Sequence, residues 1–220
     1  QASDEAKCLL SLLYEIGGTE TLSAQHDFIT TGTQYCDGIA ALTGRRPAIW
    51  GSDFSFTYTG STPEKIRHCG PANLSEPGSQ YARCDTPLHE MRERLVRTAM
   101  ERHRDGQIVT LMWHCPFPFQ GDAGRHGDIW SMGDPEHTNA WPGLFDPDAP
   151  LHRAWTRQVD VIAEYLKRLR DARVPVLWRP YHEMNGVWFW WCNRRGHGGF
   201  RKLWIQLHQR FTRLHRLDNL

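Results

Sequence analysis

The stretch Val174-Pro175-Val176-Leu177-Trp178-Arg179-Pro180-Tyr181-His182-Glu183-Met184-Asn185-Gly186-Val187-Trp188-Phe189-Trp190-Trp191 decides how this chain of 220 residues is read. It begins as a buried strand, Val174 to Trp178, apolar on both faces apart from Pro175. It then turns polar and ends in an aromatic cluster. A core strand has no physical reason to finish in Arg, His, Glu and Asn, because each costs several kcal/mol when buried without a partner. These residues fit a strand that opens onto a wet cleft. Asn185-Gly186 is a turn signal, which places the polar group where the strand ends.

The same alternation recurs upstream. Ala2 to Ile16 carries Ala6, Leu9, Leu10 and Leu13 at helical spacing and stops at Gly17-Gly18. Thr21 to Gln25 reads as a short first strand with His26-Asp27 at its end. Gln34 to Leu42 reads as a helix stopped by Gly44. Ala48 to Gly51 is a second strand, with Asp53 just beyond it. Pro87 to Arg104 is an amphipathic helix with Leu88, Met91, Leu95, Val96 and Met100 inward, and Gln107 to Trp113 is a third strand ending at His114. Leu151 to Arg173 and Phe200 to Leu214 are further helices, and Leu217 to Leu220 reads as the approach to a fifth strand. Residues 58–86 and 115–150 read as long loops. Strands alternating with helices imply a parallel sheet. Polar residues collect at the strand ends: His26, Asp27, Asp53, His114, His182 and Glu183. A TIM-type (β/α)8 barrel uses that face for its active site, and it needs eight strands in about 250 residues. The α/β pattern here supplies an N-terminal helix and about four β-α units, half such a barrel.

Composition narrows the function classes. The net charge of +1, from 26 basic and 25 acidic residues, gives no field that favours nucleic acid or an anionic membrane. No apolar run reaches the roughly 18 residues of a membrane span. Ten tryptophans suggest a ligand surface as well as a core. The chain starts at Gln1 without Met, which fits a mature secreted or periplasmic form or a trimmed product. Six cysteines include no C-x-x-C pair. Cys69 and Cys84 flank a loop that a bridge would restrain. Cys115 and Cys192 follow two strand ends and could be neighbours, either bridged or as free buried thiols.

The run from Arg179 to Trp191 resembles the signature of glycoside hydrolase family 26, best known for β-mannanases. Looser similarity extends through Thr21 to Asp27, Gly44 to Phe54 and Val109 to His114. The resemblance implies a (β/α)8 barrel with Glu183 as catalytic acid/base at the end of the fourth strand. It implies that His182 contacts substrate and supports the site, that His114 is the strand-three histidine of a sugar subsite, and that Trp188 lines the cleft. The family's nucleophilic Glu lies near the seventh strand, and no position here corresponds to it. Residues 1–220 are therefore expected to be an N-terminal portion of one catalytic domain.

The residue types support the same chemistry. Glu183 can give and take a proton when apolar walls desolvate it. Trp188, Trp190 and Trp191 offer flat apolar faces for a sugar ring. Trp130 is either a substrate contact or an anchor of its own loop. Asn185 either bonds sugar hydroxyls or shapes the turn before Gly186. A structural ion pair between Glu183 and Arg179 is the plainer alternative. Asp27, Asp53, Asp122 and Asp128 are the carboxylates in this half that could replace the missing nucleophile. His114, Cys115, His126, His137, His182 and Cys192 match no zinc spacing, so neither metal nor cofactor is expected. The expected activity is retaining, endo-acting hydrolysis of β-1,4-mannosidic bonds. The expected partners are β-mannan or manno-oligosaccharides, and the complete protein is expected to be a monomer. A family enzyme acting on xylan (β-1,3-xylanase) or mixed-linkage glucan, and a non-catalytic carbohydrate-binding protein, are the alternatives.

Overall fold

The structure is a computed structural model and describes residues 2–58, 66–68, 87–119 and 134–220. Its first helix, α1 (Asp4–Ile16), starts where the Ser3 side chain accepts a hydrogen bond from the backbone N–H of Ala6 at 3.2 Å. Strand β1 (Ala24–His26) follows, then α2 (Gln34–Thr43), which ends at Gly44 with φ of 72°. That left-handed C-cap is costly for any residue with a Cβ. Strand β2 (Ile49–Asp53) runs parallel to β1. A short antiparallel hairpin, β3 (Phe56–Tyr58) with β4 (Ile66–His68), lies beyond it. Then come α3 (Leu88–Arg104) and β5 (Ile108–Trp113). A small helix α4 (Pro135–Ala140) and a 3₁₀ turn (Trp141–Phe145) precede α5 (Pro150–Asp171). Strand β6 (Val176–Pro180) and helix α6 (Phe200–Gln209), extended by a π turn at Arg210–Leu214, complete the described elements.

The main sheet has four parallel strands in the order β1-β2-β5-β6. Sequential strands are neighbours, each joined to the next through a helix, which is the winding of successive β-α units in a barrel. Register aligns His26 with Gly51, Gly51 with Thr110, and Thr110 with Leu177. Burial along β5 alternates, with Val109, Leu111 and Trp113 buried and Ile108, Thr110 and Met112 half-buried. The buried set packs towards α3 and α5, whose inward residues include Leu95, Val96, Val159, Ile162 and Leu166. The half-buried set lines the side that a closed barrel would fill.

Several sequence expectations move. The fourth strand occupies Val176–Pro180 rather than Val174 to Trp178. The Val174 N–H closes back onto the Leu169 carbonyl at 2.9 Å, and Pro175 has no N–H to give, so pairing starts at Val176. Helix α1 fully buries none of its residues: of the expected inward stripe, Ala6, Leu9 and Leu13 are half-buried and Leu10 is exposed. Met100 is only partly buried. The hairpin, α4 and the 3₁₀ turn occupy stretches read as loop. The Asp134 carboxylate caps α4 by accepting the Glu136 N–H at 2.8 Å, with Pro135 in the first turn. The expected approach to a fifth strand is present: the Val176 N–H donates to the Asn219 carbonyl at 2.8 Å, and Asn219 Nδ2 donates to the Val174 carbonyl at 3.0 Å. Among the described residues, no helix is long and apolar enough to cross a membrane.

Candidate active site

The C-terminal ends of three of the four strands, β2, β5 and β6, meet in one hydrogen-bonded group. At the end of β2, Asp53 is fully buried. Its Oδ1 accepts the Ser55 N–H at 2.8 Å, and its Oδ2 accepts both the His114 backbone N–H at 3.2 Å and His114 Nδ1 at 2.7 Å. Ser55 Oγ donates to the His114 carbonyl at 3.0 Å and ties β2 to β5. Burial by itself would push the Asp53 carboxyl up. The charge and hydrogen bond of His114, with the Ser55 N–H, outweigh it and hold the group below the usual carboxylate range. The second nitrogen of His114 faces His182 beyond the end of β6, with Nε2 to Nε2 at 3.2 Å. Burial, and then the neighbouring His114, push His182 down to about 3, so its ring is neutral near pH 7.

Beyond β6 the backbone makes two unusual turns. Tyr181 and Glu183 both have positive φ, 49° and 56°. Non-glycine residues adopt this region at a cost, and such residues cluster at functional sites. The alternation points Tyr181 into the core, where its hydroxyl accepts from Trp155 Nε1 at 2.9 Å, and leaves Glu183 exposed. The Gly186 N–H donates to the Glu183 carbonyl at 2.8 Å and closes the turn. Trp188 folds back over that turn, and its Nε1 donates to Glu183 Oε2 at 2.8 Å. Only glycine permits this. A Cβ on residue 186 would lie 2.6 Å from Trp188 Cζ2.

The structure sorts the expected residues as follows. Glu183, His182, His114 and Trp188 come together on one face. Asn185 is exposed on the turn beside them. Trp130, Asp122, Asp128, His126 and the Cys69–Cys84 pair lie outside the described residues. The three-indole wall is not formed. Trp188 is 39 % exposed, whereas Trp190 and Trp191 are fully buried. Their indole N–H groups hold carbonyls in place, Trp190 that of Cys115 and Trp191 that of His182, each at 2.8 Å. They are pillars of the site rather than sugar platforms, and Glu183 stands at an open rim beside a single indole. Arg179 and Glu183 form no ion pair among the described residues.

Cys115 and Cys192 are not bridged. The Cys115 thiol donates to Gln158 Oε1 at 3.2 Å, and the Cys192 thiol to the Glu183 carbonyl at 3.1 Å. His137 is buried and stacks on Phe117 with ring centres 3.7 Å apart. Asp27 is buried and accepts from the backbone N–H groups of Tyr35 and Cys36 and from Trp50 Nε1. Both Asp27 and Asp53 are thus committed to holding the backbone, which removes them as stand-in nucleophiles. Sequence reasoning placed Asp53 at a strand end but missed its tie to His114. It also missed the role of Gly186, although the Asn-Gly turn was a signal that could have shown it.

Comparison with known proteins agrees with this geometry. The family model for glycosyl hydrolase family 26 matches residues 85–220. A mannan endo-1,4-beta-mannosidase of Thermothelomyces thermophilus is 30 % identical over 100 % of this chain and 39 % of its own length. The solved structure of GH26A from a Muricauda species superposes with a TM-score of 0.80 at 34 % identity, covering 100 % of this chain and 61 % of that one. A Podospora anserina GH26-CBM35 beta-(1,4)-mannanase gives a TM-score of 0.71 at 28 % identity, covering 100 % of this chain and 43 % of that one. The chain therefore spans between about two fifths and three fifths of these relatives. The strand order, the polar strand ends and the matched family model make this chain a member of glycosyl hydrolase family 26, with the fold of part of a (β/α)8 barrel.

Proposed function

We propose that the protein hydrolyses internal β-1,4-mannosidic bonds of mannan, glucomannan or galactomannan, with retention of configuration. The observation that carries this reading is the pairing of the exposed Glu183 carboxyl with the exposed Trp188 indole on the strand-end face. A carboxyl beside a flat apolar ring can hold a sugar and protonate the oxygen that leaves it. Glu183 gives its proton to the leaving glycosidic oxygen in the first step. In the second it takes a proton from the attacking water. The names of the relatives, which are mannan endo-1,4-beta-mannosidases, support β-mannan as substrate.

Retention needs a second carboxyl roughly 5–5.5 Å from the first. Asp27 and Asp53 are committed elsewhere, so we assign the nucleophile to a residue outside the described β-α units. A polymeric substrate is met outside the cytoplasm, and we assign the protein a secreted or periplasmic setting. The test is proton NMR of manno-oligosaccharide cleavage by the intact protein, read within the first turnovers. Fresh product with the β anomeric configuration supports the proposal. Fresh α product contradicts retention, and binding without cleavage identifies a carbohydrate-binding protein instead.

A further inference from the structure

We propose that Cys192 is a positioning residue for Glu183, the middle member of a clamp in which Trp191, Cys192 and Asn193 each hold one carbonyl of His182, Glu183 and Met184. Its effect on hydrolysis rests on the function proposed above. The clamp itself does not.

The loop that carries Glu183 leaves β6 and folds back on itself before α6. Trp191 Nε1 donates to the His182 carbonyl at 2.8 Å, the Cys192 thiol to the Glu183 carbonyl at 3.1 Å, and the Asn193 N–H to the Met184 carbonyl at 3.0 Å. Three consecutive carbonyls are thus met in register by three consecutive residues. A carbonyl oxygen accepts two hydrogen bonds, and the Gly186 N–H supplies the second one to Glu183 at 2.8 Å. The peptide plane that follows Glu183 is therefore gripped from two sides. Phe189 stacks on Trp191, with ring centres 4.5 Å apart and planes at 24°, and fills the loop from within.

The clamp answers a local strain. Glu183 and Asn193 both have positive φ, 56° and 52°. A residue with a Cβ keeps that conformation only where its surroundings over-determine it. Cys192 is fully buried. Burial pushes its thiol up and outweighs the backbone N–H groups of Phe189 and Trp188, which favour the thiolate. The thiol therefore keeps its proton near pH 7 and stays a donor. Trp191 is a fully buried core ring, and Asn193 acts through its backbone. Cys192 is thus the member at which a small change of side chain reaches the Glu183 backbone. Trp188 Nε1 holds the Glu183 carboxyl at 2.8 Å, so backbone and carboxyl are both fixed within one loop. Loosening the backbone moves the acid away from the oxygen it protonates, and a misplacement of about 1 Å can lower a rate by about 10²-fold.

The test compares Cys192→Ser, which keeps a donor, with Cys192→Ala, which differs from it only by the hydroxyl. On mannan, Cys192→Ala should lower kcat roughly tenfold with KM within about twofold, and Cys192→Ser should stay within about threefold of the unaltered protein. First-turnover release of an activated aryl group from a β-mannoside should fall less, because that step needs less protonation. Equal kcat in the two variants, or an equal loss on both substrates, overturns the positioning role. Amide hydrogen exchange reads the clamp without substrate. The Gly186 and Asn193 amides should exchange faster in Cys192→Ala and keep their rates in Cys192→Ser. Native rates in Cys192→Ala, or the same acceleration in both variants, overturns the clamp. If Cys192→Ala does not fold, alkylation of the unaltered protein decides: Cys192 labelled as slowly as buried Cys115 supports the clamp, and Cys192 labelled as fast as exposed Cys8 overturns it. A protein whose amides follow the expected pattern but which leaves mannan intact refutes the proposed function and leaves the clamp standing.

Discussion

Replacing Trp188 with Ala separates a sugar platform from a structural prop. The indole is 39 % exposed while its inner face lies on Gly186 and its N–H on Glu183. A tryptophan presents at most about 250 Å² for burial, so the open part amounts to about 100 Å². Covering that area with a sugar ring contributes at most about 2.5 kcal/mol at about 25 cal/mol per Å². Ordering the ligand and the ring removes part of this, leaving about 1–2 kcal/mol, or roughly 5- to 30-fold in affinity. The assay is calorimetry of manno-oligosaccharide binding to a Glu183→Gln protein, whose amide still accepts the Trp188 N–H. Trp188→Ala should weaken Kd by that factor. Trp188→Phe, which keeps an aromatic face, should cost less than about fivefold. Unchanged affinity together with a lowered melting temperature would refute the platform and leave Trp188 as packing.

Three other outcomes follow from the same geometry. Gly186→Ala should displace the Trp188 ring, because its Cβ would meet Cζ2 at 2.6 Å, and it should weaken oligosaccharide binding in the same direction as Trp188→Ala; native affinity would show that the ring has another seat. His182 is depressed to about 3 in the folded protein against 6.5 when unfolded, so below about pH 6.5 the unfolded chain binds the extra proton and stability falls as pH drops towards 3. Urea unfolding should show this loss at up to about 1.4 kcal/mol per pH unit, less steeply in His182→Asn, and parallel slopes in the two proteins would contradict the depressed value. The 220-residue polypeptide produced by itself should run larger than a monomer in light scattering, since β6 is an edge strand and Ile108, Met112 and Leu177 are only half-buried on the sheet face that a closed barrel would fill; a monodisperse monomer would contradict this.

Much of this architecture can be read from residue order. The strand-helix alternation, the glycine stops and the polar strand ends give the parallel sheet and the face that carries Glu183, because side-chain period and turn chemistry act locally. The start of β6 could have been read as well, since Pro175 cannot donate to a ladder. The small helix α4 announces itself by Asp134-Pro135, a cap followed by a first-turn proline. The environment of the aromatic cluster could not be read. Trp188, Trp190 and Trp191 differ in position by only three residues, yet one is a rim and two are pillars. That division depends on the positive φ at Tyr181 and Glu183, which no local propensity favours and which surrounding packing must impose. The same holds for Cys115 and Cys192: each lies where expected, but each thiol takes an oxygen partner of its own. Asp53 and His114 are 61 positions apart in sequence, so their contact is a property of sheet register, which brings the ends of β2 and β5 side by side.

The central claim is that Glu183 protonates the leaving oxygen. The most direct measurement compares Glu183→Ala with the unaltered intact protein on two substrates, polymeric mannan and a β-mannoside with an activated aryl leaving group. General acid help is worth about 10²–10⁴-fold where the leaving group needs a proton. The account predicts a loss of that size on mannan, and a much smaller loss in aryl release during the first turnover, when an activated leaving group departs unaided. An equal loss on both substrates, or none on mannan, would contradict it.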